Sequence, residues 1–129
     1  MLEIGLKGES SIDVTEENTA LAYGSGELPV YATPALVALM EQACFTSVVR
    51  ALAPGQGTVG TRMEVRHLSP TPVGMRVHCE SALIEIDRRK LVFEVKAYDD
   101  AGLIGEGVHE RFIIENAPFL EKANAKAAK

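Results

Sequence analysis

Hydrophobic and polar positions along the 129-residue chain fall into two patterns. From Ala35 to Val49 almost every residue is apolar or small, and only Glu41 and Gln42 interrupt the run strongly. Thr33-Pro34 precedes it, with Thr suited to an N-cap and Pro to the first helical position, and Pro54-Gly55 follows. The run predicts a helix over 34–52. A helix apolar on every side is buried on every side, so the rest of the chain must wrap it. Four later segments alternate with period two, as half-buried strands do. In 58–68, Val59, Thr61, Met63, Val65 and His67 share one face, against Arg62, Glu64 and Arg66. In 75–86, Met75, Val77, Cys79, Ser81 and Leu83 oppose Arg76, His78 and Glu80. In 90–98, Leu91, Phe93, Val95 and Ala97 oppose Glu94, Lys96 and Tyr98. Segment 103–114 is strand-like without a clear facing. Turn residues at 70–74, 87–89 and 99–102 separate the four, which makes an antiparallel meander. Upstream, 10–14 could form a short strand, and 15–23 begins like a helix that Gly24-Ser25-Gly26 stops. The expected class is α+β, a sheet wrapped around a long central helix. It forms one domain over 1–129, with 1–8 and 124–129 as frayed ends.

Composition narrows the function classes. Hydrophobic residues make up 47% and charged residues 24%, a globular balance that excludes disorder. The net charge is −5 and the pI about 5.2, which argues against a nucleic-acid partner. No apolar stretch approaches the roughly 20 residues that span a bilayer, and the start lacks a signal-like apolar core. The expectation is a cytoplasmic protein without a membrane partner. Cys44 and Cys79 are too few for a disulfide scaffold and are not in metal-ligand spacing. The acid excess is local: residues 1–33 carry −5, whereas 50–96 carry +3.

Three residues could carry chemistry. Glu41 lies within the apolar run, where an unpaired carboxylate is costly. It either finds a solvated stripe or a partner such as Arg111, or it sits in a cleft as a general base or nucleophile. His67 lies on the apolar face of its strand, as a satisfied core histidine or as a proton shuttle. Thr33 is a helix cap, and the same place can stabilise an oxyanion. Eight residues separate Thr33 from Glu41, about 12 Å of helix. A direct bond between them is therefore excluded unless the helix bends, and otherwise a substrate, a water or a second subunit must bridge the gap. His78 reads as a surface residue, and His109 is not placed by its neighbours. The chain has no phosphate-binding glycine loop, no G-x-S-x-G elbow and no H-E-x-x-H pair.

The stretches Tyr31–Cys44 (YATPALVALMEQAC), Gly57–His67 (GTVGTRMEVRH), Thr71–Gly74 (TPVG) and Gly105–Arg111 (GEGVHER) together resemble the fluoroacetyl-CoA thioesterase-like branch of the hotdog superfamily. The resemblance spans roughly residues 8–125. It implies the hotdog fold, a homodimer or larger homo-oligomer, and hydrolysis of an acyl-CoA thioester with neither a metal nor a separate cofactor. The family's catalytic set falls on Thr33, Glu41 and His67. Thr33 would orient the carbonyl or water, Glu41 would act as base or nucleophile, and His67 would shuttle the proton. Gly60 matches a glycine near the thioester carbonyl, and Arg111 joins it as a substrate-binding candidate. Residues 24–29, before the Thr, are short and lack the aromatic side chains of the member that discriminates fluorinated substrates. Fluoroacetyl specificity is therefore not implied. A non-catalytic acyl-CoA or acyl-carrier binding module and a hotdog dehydratase or hydratase are the alternatives. Arg88, Arg89 and Lys90 cluster at a predicted turn, either as a solvated hairpin tip or as partners for CoA phosphates.

Overall fold

The computed structural model describes residues 1–128. Its largest unit is a five-stranded antiparallel sheet in the order β1-β3-β4-β5-β2. The strands are β1 (Lys7–Asp13), β2 (Gln56–His67), β3 (Arg76–Asp87), β4 (Lys90–Asp99) and β5 (Gly102–Glu115). Helix α1 (Ala20–Tyr23) is a single turn, α2 (Thr33–Val48) is the long helix, and α3 (Asn116–Ala125) follows the last strand. Pairing reaches Lys7 and Gly8 at one end, and α3 runs to Ala125 at the other. Helix and strand thus extend into both stretches expected to fray, and Lys129 lies outside the described residues. Among the described residues, no helix is long and apolar enough to cross a membrane.

Helix α2 lies along the concave face of the sheet. Ala35, Leu36, Leu39, Met40, Ala43, Cys44 and Val48 are buried against Val77, Cys79, Leu83, Leu91, Phe93, Val95 and Ala97. The alternation read in β3 and β4 is the one observed. Close approach is possible because small residues line the contact. A Cβ at Gly105 would meet Leu36 Cδ2 at 3.0 Å, and Ser10 and Ser81 donate to the Leu39 and Ala43 carbonyls at 2.7 and 3.3 Å.

Three expectations need correction. First, α2 is not buried on all sides. Pro34, Ala38, Gln42, Phe45 and Val49 form an exposed stripe at i, i+4 and i+3 spacing, with Phe45 40% and Val49 47% exposed. One sheet can cover only one side of a cylinder. Second, the helix ends at Val48, and 49–51 form a 3-10 turn. Third, Val59 and Thr61 do not share a face with Met63, Val65 and His67. A β-bulge between Gly60 and Arg62 shifts the register, so the alternation changes phase there. Upstream of the bulge, Thr58 and Gly60 face the helix.

Gly8 marks where β1 and α2 approach most closely. A Cβ there would sit 2.3 Å from the Ala43 carbonyl oxygen and 2.7 Å from Ser47 Cβ. Overpacking of this kind costs about 1–3 kcal/mol. Gly8→Ala should lower the unfolding free energy by that amount in denaturant titrations, and a native-like midpoint would show that β1 lifts from α2 without cost.

Candidate functional site

Two clusters of polar side chains flank α2. The first lies at its start. Tyr31 N–H donates to the Thr71 carbonyl and Ala32 N–H to the Asn18 carbonyl, each at 2.9 Å, which fixes how the chain enters the helix. Ala32, rather than Thr33, is the N-cap, and no side chain caps this end. Thr33 is the first helical residue. Its hydroxyl is used elsewhere, 2.7 Å from Nδ1 of His67 at the end of β2. This contact joins positions 34 residues apart. The other ring nitrogen, Nε2, is buried without a hydrogen-bond partner. Burial pulls the His67 pKa below its ordinary value, because a low-dielectric setting disfavours the charged form. His67 is thus a neutral imidazole at neutral pH. Beside the pair is a cleft of about 310 Å³ lined by Thr33, Pro34, His67, Ser69, Tyr31 and Ser25. Pro34 has no N–H and the Leu36 N–H donates to the Ala32 carbonyl at 3.0 Å, so the Thr33 and Ala35 amides are the ones in the first turn without intrahelical carbonyls.

The second cluster lies two turns further along α2. Glu41 is half-buried there rather than enclosed. Its neighbours are Arg111 and His109 on β5, across Gly60 on β2. A Cβ at Gly60 would lie 3.1 Å from His109 Cε1, 3.4 Å from Arg111 Nη1 and 3.6 Å from Glu41 Oε2. The three groups therefore converge on a space that only glycine leaves open. Arg111 is 7% exposed. Its Nε and Nη2 donate to the Thr58 hydroxyl and carbonyl at 2.7 and 2.9 Å, Nη1 lies 3.1 Å from His109 Nε2, and the guanidinium carbon lies 5.7 Å from the Phe45 ring centroid. Burial lowers the Arg111 pKa, and the nearby Glu41 charge opposes that shift.

Thr33 and His67 thus meet, Gly60 and Arg111 meet Glu41, and no hydrogen bond joins the two clusters among the described residues. His109 and Thr58 escaped the sequence reading. The β5 strand has glycines at two inward positions, so hydropathy alone does not set its facing. The register does: His67 pairs Gly105, Val65 pairs Gly107 and Met63 pairs His109, which turns 105, 107, 109 and 111 toward the helix. Thr58 was hidden by the bulge. Arg88, Arg89 and Lys90 line a separate cleft with Asp87 and Phe112. Lys90 pairs with Phe112, whose side chain faces away from α2.

Comparison with known proteins is consistent with this geometry. Residues 14–117 match the family model described as fluoroacetyl-CoA-specific thioesterase. The fluoroacetyl-CoA thioesterase of Streptantibioticus cattleyicolor is 41% identical over 97 residues, covering 75% of this chain and 67% of its own. A solved structure of the fluoroacetyl-CoA thioesterase FlK superposes with a TM-score of 0.91 at 32% identity, over 98% of both chains. A Thermus thermophilus hypothetical protein, described as a thioesterase superfamily member, gives 0.88 at 29% identity, over 100% of this chain and 98% of the other. With its long helix lying along a curled antiparallel sheet, the chain belongs to the fluoroacetyl-CoA-specific thioesterase family of hotdog-fold proteins.

Proposed function

We propose that this protein hydrolyses short-chain acyl-CoA thioesters with Thr33, Glu41 and His67 as its catalytic set. The observation that carries the reading is the 2.7 Å contact between Thr33 and His67 at the open end of α2, in a chain of this family. Water supplies an oxygen to the acyl carbon, the C–S bond breaks, and the sulfur takes a proton to leave as CoA thiol. Thr33 orients the carbonyl or the water, and the helix start favours negative charge developing on oxygen. His67, neutral and with one ring nitrogen unpartnered, carries the proton. Glu41 delivers the attack, as base on water or as the nucleophile itself. Gly60 leaves room for the thioester carbonyl, and Arg111 supplies donors to the substrate. CoA enters only as part of the substrate, and these steps call on no metal or separate cofactor.

The two clusters complete one site when two copies associate. Within one chain, Thr33 and Glu41 are about 12 Å apart along α2. The outer edge of β2 is unpaired, and the stripe containing Phe45 and Val49 is open beside it. A two-fold homodimer joined at this edge sets Thr33 and His67 of one copy against Glu41 of the partner subunit. Ser25, from the 24–29 loop, reaches the cleft. This loop contributes no aromatic side chain, and we assign no preference for fluorinated acyl groups. The free, buried thiols of Cys44 and Cys79 suit a reducing compartment such as the cytoplasm.

Glu41→Gln should lower thiol release from a panel of short acyl-CoAs by at least about 100-fold. Thiol release also separates hydrolysis from mere binding and from hydration of a C–C double bond. Undiminished turnover would remove Glu41 from the mechanism. Equal amounts of Glu41→Gln and His67→Asn chains, each nearly inactive alone, should recover about a quarter of native activity after subunit exchange. Half of the pairs are then mixed, and each mixed pair holds one intact site. Sites contained within single chains would recover none. With neutral His67 as the working form and its pKa below the ordinary imidazole value, kcat/KM should hold down to about pH 6.5 and fall only below it. His67→Gln should remove most of the rate and flatten the part of that acid limb that His67 sets.

A further inference from the structure

His109 is completely buried, and its hydrogen bonds allow one protonation state. Nδ1 lies 2.8 Å from the Arg62 carbonyl oxygen next to the β2 bulge. A carbonyl only accepts, so Nδ1 carries the proton. Nε2 lies 3.1 Å from Arg111 Nη1. A guanidinium only donates, so Nε2 carries the lone pair. The ring is therefore the neutral Nδ1–H tautomer, with Phe93 of β4 on one side at 6.3 Å between centroids. Arg111 has five N–H bonds. Nε donates to the Thr58 hydroxyl, Nη2 to the Thr58 carbonyl and Nη1 to His109. That leaves one N–H on each terminal nitrogen, and Nη1 borders the space shared with Glu41 over Gly60.

We propose that His109 is a positioning residue for hydrolysis: as the neutral Nδ1–H tautomer it holds the Arg111 guanidinium so that the uncommitted N–H of Nη1 meets the substrate beside Glu41. The inference rests on the reading of Arg111 as a substrate-binding group. Protonating His109 would set N–H against N–H and free Arg111 to rotate. The charged groups facing His109 are Arg111 on its own strand and Glu41 on α2, Glu110 lies next to it on the opposite face of the sheet, and β2 presents only the Arg62 carbonyl. Burial and the Arg111 charge hold its pKa down, against the opposing pull of the Arg62 carbonyl and of Glu41 and Glu110. The neutral form therefore persists through neutral pH and is lost only in acid.

The test uses the purified full-length protein, thiol release from the best short acyl-CoA of the panel, and a melting temperature for each variant. In His109→Gln the side-chain carbonyl reaches the Nε2 position and can still accept from Arg111. In His109→Asn the amide reaches only the Nδ1 position and serves the Arg62 carbonyl alone. His109→Gln should keep kcat/KM within about threefold of native, while His109→Asn should lose about tenfold or more. His109→Gln should also retain a larger share of its pH 8 rate at pH 5 than the native protein does, because glutamine does not protonate. Equal losses in both variants at matched melting temperatures would make the role one of packing and overturn the inference. So would a native rate in His109→Asn while Arg111→Lys is impaired. A native rate in Arg111→Lys would instead remove the reading of Arg111 on which the inference rests. Long-range 15N–1H spectra of the native protein provide a readout independent of variant folding: a proton on Nδ1 of His109 supports the proposal, and one on Nε2 overturns it.

Discussion

The constraint on which the rest depends is the close seating of α2 on the sheet. Seven buried side chains of one helix must be covered, and a single sheet can cover them only by curving and by keeping the contact thin. Gly8, Ser10, Ser81 and Gly105 are the small residues that allow this, with two serines donating to carbonyls in the middle of the helix. Once α2 is seated, its start falls beside the end of β2 and its middle falls over Gly60. The positions of Thr33 against His67, and of Glu41 against Arg111, follow from that one packing decision.

The site separates two electrostatic tasks. Around Thr33 and His67 within one chain, burial is what keeps the imidazole neutral among the described residues. Around Glu41, a buried cation and a carboxylate lie close together without a hydrogen bond among the described residues. Thr58, His109 and the Phe45 ring carry the contacts to the guanidinium instead. Such an arrangement leaves the carboxylate oxygens free for a reacting molecule, whereas a direct bidentate ion pair would occupy them.

Much of this was legible in the chain. The apolar run with Thr33-Pro34 ahead of it located α2 within a few residues, and the alternation in β3 and β4 named the core positions correctly. The same hydropathy could not show that one stripe of α2 stays open, because apolar residues look alike whether a sheet or a second surface covers them. Thr33 read as a cap because Thr before Pro usually is one; what could not be read is that His67, 34 residues later, competes for the same hydroxyl. In β2 the period-two pattern was extrapolated through a bulge. That error moved Val59 inward, hid Thr58 and left Gly60 as a match to a family glycine without a facing. In β5 the glycines at 105 and 107 carry no hydropathy signal, so His109 and Arg111 became visible as neighbours only through strand register.

The sheet has two unpaired edges, β1 and β2, and a sheet with two usable edges can grow without limit. They are not equivalent. The β1 edge is seven residues long and bears Glu9 and Asp13, with Glu16 and Glu17 immediately after it. Residues 1–33, which contain this edge, hold the whole acid excess of the chain. Two such edges repel each other when they meet, and short charged edges resist further pairing. The 12-residue β2 edge carries charges of both signs, Arg62, Glu64 and Arg66, and lies beside the open stripe of α2. The mixed-charge β2 edge is therefore the more open of the two to strand pairing, and the acidic β1 edge the more guarded. The uneven charge thus makes the two edges unequal as pairing surfaces, one guarded by like charge and the other not.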